Sequence, residues 1–306
     1  MPRKTIYLPD ELDLAIRTHP GEINISKVCA EALRAELTAR EGIRTSMEGL
    51  LSQIFRNEGP LETRLKHRFK LRRVIAPPGG DEGAPRETVS LWTSIFLNEM
   101  FFDGLRVAMA GGTQMWDVAR RLEPRNLGLN VWALGFGHVD QETPHVHPNA
   151  LVTLLAMMYG SRTKPRLVGA PGFPQAWSWQ ARYPEEGKGV RRLIMGSCAT
   201  FDADSPYAKV LGDEMTDYLV EENVIGDFLG VFIAPEGKAL EPFTPSLPIS
   251  HITRSELQEF ARRDDTIVLL AAAGGHKVKL MRQILQLGLC NSVITDDVTA
   301  SALLAR

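Results

Sequence analysis

Beyond Glu87 the chain repeats one pattern: a short unbroken apolar run, a turn, then apolar residues at helical spacing. The runs Arg106–Ala110, Asn130–Leu134, Arg166–Gly169, Arg192–Met195, Gly230–Ile233, Thr266–Ala271 and Ser292–Thr295 predict strands. Helical spacing follows at Met115–Leu122, Asn149–Tyr159, Tyr207–Glu222, Arg254–Arg262 and Val278–Gln286. An apolar run without alternation suits a strand buried on both faces, as in a parallel sheet covered by helices. Strands alternating with helices of this length predict βαβ units and an α/β fold, a doubly wound, mostly parallel sheet.

The first forty residues follow a different pattern. Ile6 and Leu8 alternate with Arg3, Thr5 and Tyr7, which predicts a short strand ended by Pro9. Asp10 caps a helix to about Thr18, Pro20-Gly21 turns the chain, and Ser26 caps a second helix with Val28, Ala32, Leu33 and Leu37 on one face. One short strand and two short helices cannot bury their apolar face alone, so the segment is expected to pair with a second copy through an antiparallel ribbon. This arrangement resembles the ribbon-helix-helix fold, and Ile23–Leu33 is similar to the second helix of CcdA-like antitoxins. The resemblance implies double-stranded DNA as a partner, with the ribbon in the major groove. Arg3, Thr5 and Tyr7 would then read bases with Lys4 beside them, and the Ser26-Lys27 helix start would hold a phosphate. The alternative is an edge strand of the main domain with Arg3 and Lys4 merely solvated.

Residues 41–60 read as a helical linker, in which Met47, Leu50, Leu51 and Ile54 recur at the spacing of a dimer-forming helix. From Leu61 to Arg73 the chain carries Arg64, Lys66, Arg68, Lys70, Arg72 and Arg73 against Glu62 alone. A solvated connecting helix is the expected reading, and a second contact to DNA phosphates the other. The loop Ala76–Pro85 is too rich in Pro and Gly for helix or central strand. The division is therefore 1–40, a ribbon module; 41–60, a linker; and 61–306, one α/β domain expected to assemble as a dimer or tetramer.

Composition narrows the function classes. The 306 residues are 44% hydrophobic and 24% charged, enough for a substantial core. A net charge of −2 argues against a uniformly basic nucleic-acid wrapper, but not against a small module with its own local charge. Cys29, Cys198 and Cys290 are widely spaced, with no C-x-x-C, so neither a zinc site nor a disulfide framework is expected. No apolar run has membrane-spanning length and the start lacks a signal-peptide core, so a cytoplasmic protein without a membrane partner is expected.

The most informative stretch is Val107–Ala119, a strand running into Gly111-Gly112-Thr113-Gln114 and then a helix. Backbone amides at such a helix start, with a hydroxyl beside them, form a cradle for a phosphate. From Leu61 onward the order of motifs resembles the sugar-binding domain of SorC/DeoR-type transcriptional regulators. Those motifs are Phe69–Ile75, Ala110–Thr113, Leu167–Pro171, Asn223–Gly230, Ala271–Lys277 and Val293–Ala300. The resemblance implies a fold like that of glucosamine-phosphate and ribose-phosphate isomerases, used as a sensor of a small anionic metabolite. It also implies an effector site of Gly111, Gly112, Thr113, Gln114, Asp227 and Lys277. Physically, Lys277 supplies a charge for phosphate and Asp227 an acceptor for sugar hydroxyls. The alternatives are an exposed helix-start lysine and a turn residue capping its own backbone. Two features depart from the family. Its members usually carry a helix-turn-helix module, and those that bind phosphosugars often carry an arginine where Ser246–His251 has none.

His138, His145 and His147 share one loop, for which contact with the effector is favoured over a metal site. No metal or cofactor is expected. A sugar-phosphate isomerase on the same sheet is the rival class, with Asp202, Asp204, Asp296 and Asp297 as its bases. No acid is paired with them, however, and no nucleophile-elbow, zinc-protease or P-loop motif is present. An antitoxin- or partition-like protein whose large domain only oligomerises is a third class. The expectation is a DNA-binding regulator, a repressor or activator rather than an enzyme.

Overall fold

The computed structural model describes residues 59–78, 85–136, 144–161, 164–167, 192–202, 208, 213–235, 239–240, 249–250 and 252–305. The expected ribbon module, with Arg3, Lys4, Thr5, Tyr7, Ser26 and Lys27, and the apolar segment Ser46–Phe55 lie outside the described residues. The described residues belong to the unit Glu58–Arg306.

Helix α1, Pro60–Phe69, starts where a helix should. Gly59 is its N-cap, and Pro60 occupies the first turn, where the missing N–H has no partner to lose. Lys70, at φ 55°, closes it in the left-handed conformation. Strand β1, Arg73–Ile75, then leads past the Pro/Gly loop to α2, Pro85–Met100. Strand β2, Arg106–Ala110, α3, Thr113–Ala119, β3, Asn130–Phe136, and α4, Pro148–Tyr159, follow in alternation. After β4, Arg192–Gly196, come β5, Cys198–Thr200, α5, Asp213–Glu221, β6, Gly226–Phe228, β7, Val231–Ile233, β8, Ala239–Leu240, and β9, Ile249–Ser250. The chain closes with α6, Arg254–Arg262, β10, Thr266–Ala271, α7, Val278–Gln286, β11, Ser292–Ile294, and α8, Asp297–Leu304.

The main sheet has the order β1-β11-β10-β4-β2-β3-β9, parallel throughout except for the antiparallel edge pair β3–β9. The expected doubly wound α/β architecture is therefore present. Its central strands are apolar on both sides because both sides are covered. Ala108, Ala110, Ile194, Val268, Leu270 and Val293 pack in one cluster with Leu257 of α6, Leu280 and Ile284 of α7, Leu303 of α8 and Leu65 of α1. Residues of the other parity, Val107, Met109, Leu193, Met195 and Leu269, are equally buried on the face of α2, α3 and α4. Each such side chain, fully buried, stabilises the fold by roughly 1.5–3 kcal/mol.

Two elements differ from the sequence reading for physical reasons, and a third is described only in part. Gly230–Ile233 forms no main-sheet strand; β7 belongs to a separate antiparallel sheet, β5-β6-β7-β8. Four consecutive apolar residues cannot reveal which sheet takes them. At Arg166–Gly169 the described part makes one bridge, Arg166 to Trp132. Helix α2 is not apparent from periodicity, because much of its inner face is Ser90, Thr93 and Ser94, all buried. Ser90 and Ser94 donate their hydroxyls to Arg86 O and Leu91 O, both at 2.7 Å, which satisfies the groups inside the helix itself.

Candidate functional site

The chain winds outward from the middle of the sheet in two directions. β2 connects through α3 to β3 on one side, whereas β4, β10 and β11 succeed one another towards the other. The reversal falls between β2 and β4, and ligands of open α/β sheets bind outside the carboxyl ends of strands at such a point. The loops there are Gly111–Thr113 after β2, Ser197 after β4 and Ala272–Lys277 after β10.

Gly111 is held by close packing. A Cβ at this position would lie 2.6 Å from Pro148 Cδ and 2.7 Å from the Val146 carbonyl oxygen. Gly112 has φ 108° and open space where a Cβ would stand. Its N–H is engaged, donating to Val146 O at 2.8 Å, while its carbonyl accepts from Trp116 N at 3.0 Å. The amides of Thr113, Gln114 and Met115, in the first turn of α3, have no intrahelical acceptor. Gly112 and Thr113 are exposed, whereas Gln114 and Met115 are buried, so it is the Thr113 end of this turn that meets solvent. α3 has only seven residues, so local amides rather than a long helix dipole would hold an anion here.

Gln114 has another role. Its side chain is buried and donates to Ser90 Oγ at 2.7 Å and Arg86 O at 3.1 Å, tying α3 to α2. One turn on, buried Asp117 strengthens the same seam. Arg120 Nε lies 3.1 Å from Asp117 Oδ1 and Arg86 Nε 3.0 Å from Oδ2, the latter off the hydrogen-bonding direction and so an electrostatic contact. Asp117 is a residue that sequence reasoning misses. A single acid in an amphipathic helix gives no sign that its partners lie on a neighbouring element.

The second glycine pair is held by a polar relay. Gly274, at φ 110°, donates its N–H to Thr299 Oγ1 at 2.9 Å. Thr299 donates its hydroxyl to Asp296 Oδ2 at 2.6 Å and its N–H to Asp296 Oδ1 at 2.8 Å, and both residues are 2% exposed. Asp296 is thus the N-cap of α8 and, through Thr299, a support of the loop. Gly275 is exposed, and a Cβ there would meet no described atom within 4 Å. Lys277 is half-buried at the end of the turn and donates its backbone N–H to Gly274 O at 3.0 Å.

Asp227 and Lys277 both act on one buried group. Burial pushes the Cys198 thiol up to about 12; the Lys277 charge works against that shift and the Asp227 charge adds to it. Asp227 pairs with Ala199 and Phe232 across its sheet, and its Oδ2 accepts from Gly230 N at 3.1 Å, so it also caps its own turn. The small sheet leans on the main one: a Cβ on Gly196 would stand 2.6 Å from Leu229 Cδ2 and 3.0 Å from Ala110 Cβ.

Of the histidine loop, residues 137–143, with His138, lie outside the described residues. His145 is exposed and meets Trp116 edge-on at 5.0 Å, and His147 Nδ1 accepts from Asn149 N at 3.1 Å as the N-cap of α4. Among the described residues no group of three His, Cys, Asp or Glu is placed to hold a metal, and no helix is long and apolar enough to cross a membrane.

The doubly wound sheet flanked by helices is the fold of solved sugar-binding domains of SorC/DeoR-type regulators. The full-length sorbitol operon regulator SorC of Klebsiella pneumoniae matches with a TM-score of 0.62 and 16% identity, over 80% of each chain. A DeoR family transcriptional regulator of Listeria monocytogenes matches at 0.61 and 18%, over 80% of this chain and 98% of that one. A domain of a possible sugar-binding transcriptional regulator of Arthrobacter aurescens TC1 matches at 0.60 and 17%, over 80% and 97%. At these identities the likeness is one of fold. No protein-family model and no curated protein sequence matches the chain.

Proposed function

We propose that this protein is a DNA-binding transcriptional regulator whose operator affinity is set by a small anionic metabolite, most simply a phosphorylated sugar. The observation that carries the reading is the Gly111-Gly112 loop at the reversal point, with the second glycine loop two strands away on the same sheet, in a fold shared with known regulators. The effector would rest on Gly111, Gly112 and Thr113, with Gln114 positioning α3 from behind. Lys277 would supply the opposing charge and Asp227 an acceptor for hydroxyls. Residues 1–40 would bind the operator as a paired ribbon through Arg3, Lys4, Thr5, Tyr7, Ser26 and Lys27, and residues 41–60 would link it to the effector domain of 61–306. The homo-oligomer, dimer or tetramer, follows from the ribbon's need for a second copy.

A sensor accounts for the acids better than an isomerase does. Of the acids that the isomerase would use as bases, Asp296 is committed to Thr299 through both carboxylate oxygens. DNA and metabolite sites on different parts of the chain communicate only if the ligand favours one arrangement of the assembly over another.

A gel shift with a promoter fragment, with and without a panel of phosphorylated sugars, tests the reading. Specific binding that responds to at least one of them is expected, and indifference of the DNA complex to the whole panel overturns the sensor. If the ligand carries a phosphate, Lys277→Ala removes a charge-assisted contact of roughly 1.5–3 kcal/mol, about tenfold to a hundredfold in affinity by calorimetry. The variant should hold operator normally yet ignore the effector; equal affinities would remove Lys277 from the site.

A further inference from the structure

We propose that α1 makes a second, sequence-independent contact to the operator, in which Arg64 and Lys70 bind phosphates of the duplex backbone. This rests on the DNA-binding reading above and adds to it a contact made outside the N-terminal module.

The structure sorts the basic residues of this segment by what holds them. Arg68 Nη1 donates to Leu304 O at 2.6 Å, at the carboxyl end of α8. Arg72 donates to Arg262 O and Arg263 O, both at 2.5 Å, and lies 3.2 Å from Asp264. Arg73 lies over the Phe96 ring, 5.6 Å from its centroid. Lys66 is half-buried. Arg64 and Lys70 are exposed, and among the described residues neither is engaged in an ion pair or a side-chain hydrogen bond.

Their direction is set from the other side of the helix. Leu61, Leu65 and Phe69 recur every four residues and pack into the main core, with Leu65 1% exposed, so the polar face of α1 is held outward. Arg68, anchored to α8 and exposed, lies between Arg64 and Lys70 in the chain and adds its charge to the segment. From Arg64 to Lys70 the chain advances about 9 Å at 1.5 Å per helical residue. Over that length one strand of a duplex advances by about three phosphates. Arg64 and the C-cap Lys70 stand about 120° apart around the axis, both on the side away from Leu65, and two separated cations suit a phosphate backbone better than a small ligand, which needs its charges gathered at one point.

The test uses the full chain and the double variant Arg64→Gln/Lys70→Gln. Affinity for a promoter duplex and for a random duplex of equal length is measured by fluorescence anisotropy between about 50 and 200 mM salt. The slope of log K against log salt should fall by about 1.8 per chain, at roughly 0.9 for each phosphate contact. Affinity should drop by the same factor on both duplexes, because phosphate contacts carry no base information. Neither side chain is tied to the described residues by an ion pair or hydrogen bond, so the urea midpoint should not move. An unchanged slope, with promoter preference intact, overturns the role of α1 alone. A wild-type chain that does not prefer promoter over random duplex overturns the regulator reading itself, and one that binds neither overturns both.

Discussion

The two glycine pairs have nearly the same sequence signature and are held in opposite ways. At Gly111-Gly112 the constraint is steric: Val146 and Pro148 press on Gly111 until no side chain fits, and the Gly112 amide is fixed to Val146 O. At Gly274-Gly275 the constraint is polar: a buried carboxylate at the end of the neighbouring strand holds Thr299, and Thr299 holds Gly274. The first loop is therefore sensitive to volume and the second to hydrogen-bonding capacity.

The sharpest way to break this contrast is Asp296→Ala. It leaves the Thr299 N–H and hydroxyl, and through them Gly274, without their buried acceptor, and should cost about 2–4 kcal/mol in urea unfolding. A loss below about 1 kcal/mol would show that the relay is not what holds the loop. Gly111→Ala should cost about 1–3 kcal/mol, because the atom it meets at 2.7 Å is backbone and cannot rotate away. Gly275→Ala, with open space and ordinary backbone, should stay within about 0.5 kcal/mol of wild type. If Gly111→Ala and Gly275→Ala proved equally mild, the steric account of the first loop would fail.

A separate effect concerns pH. Cys198 titrates near 9.0 when exposed and is pushed up to about 12 by burial, so the folded state keeps a proton that the unfolded state releases. Stability from this group is fully present below about 9 and declines as pH rises towards 12, because the folded state binds more protons. The urea midpoint should fall between roughly pH 8.5 and 10.5, the lower part of that window, and less steeply in Cys198→Ala. An identical slope in the variant would mean that the thiol is not sealed beneath the second loop.

Much of the fold is readable from periodicity, and the reason is visible in particular strands. Arg106–Ala110 and Thr266–Ala271 have the bounds their apolar runs predict, because strands buried on both faces are unbroken apolar runs, each followed by its glycine pair. Val278–Gln286 is equally clear, with Leu280, Met281, Ile284 and Leu285 on one stripe. α2 is not, since Ser90, Thr93 and Ser94 stand where apolar residues would announce a buried face. Of the candidate site, both glycine pairs and Lys277 are visible as motifs. The inward turn of Gln114 and the seam at Asp117 are not, and the cap at Asp227 is legible only as one of two alternatives.

The local events follow from short stretches of residues. Gly59-Pro60 starts a helix because Pro is tolerated in a first turn, glycine takes the positive φ at 112 and 274, and apolar runs become buried strands because water excludes them. Which polar groups stay exposed depends instead on long-range packing. Gln114 and Asp117 face α2, Asp296 faces Thr299, and Arg68 and Arg72 face carbonyls far along the chain, whereas Thr113, Arg64 and Lys70 are exposed and Lys277 half so. That assignment depends on which distant donors and acceptors packing brings within about 3 Å, and hydrogen bonds and ion pairs act only at such range.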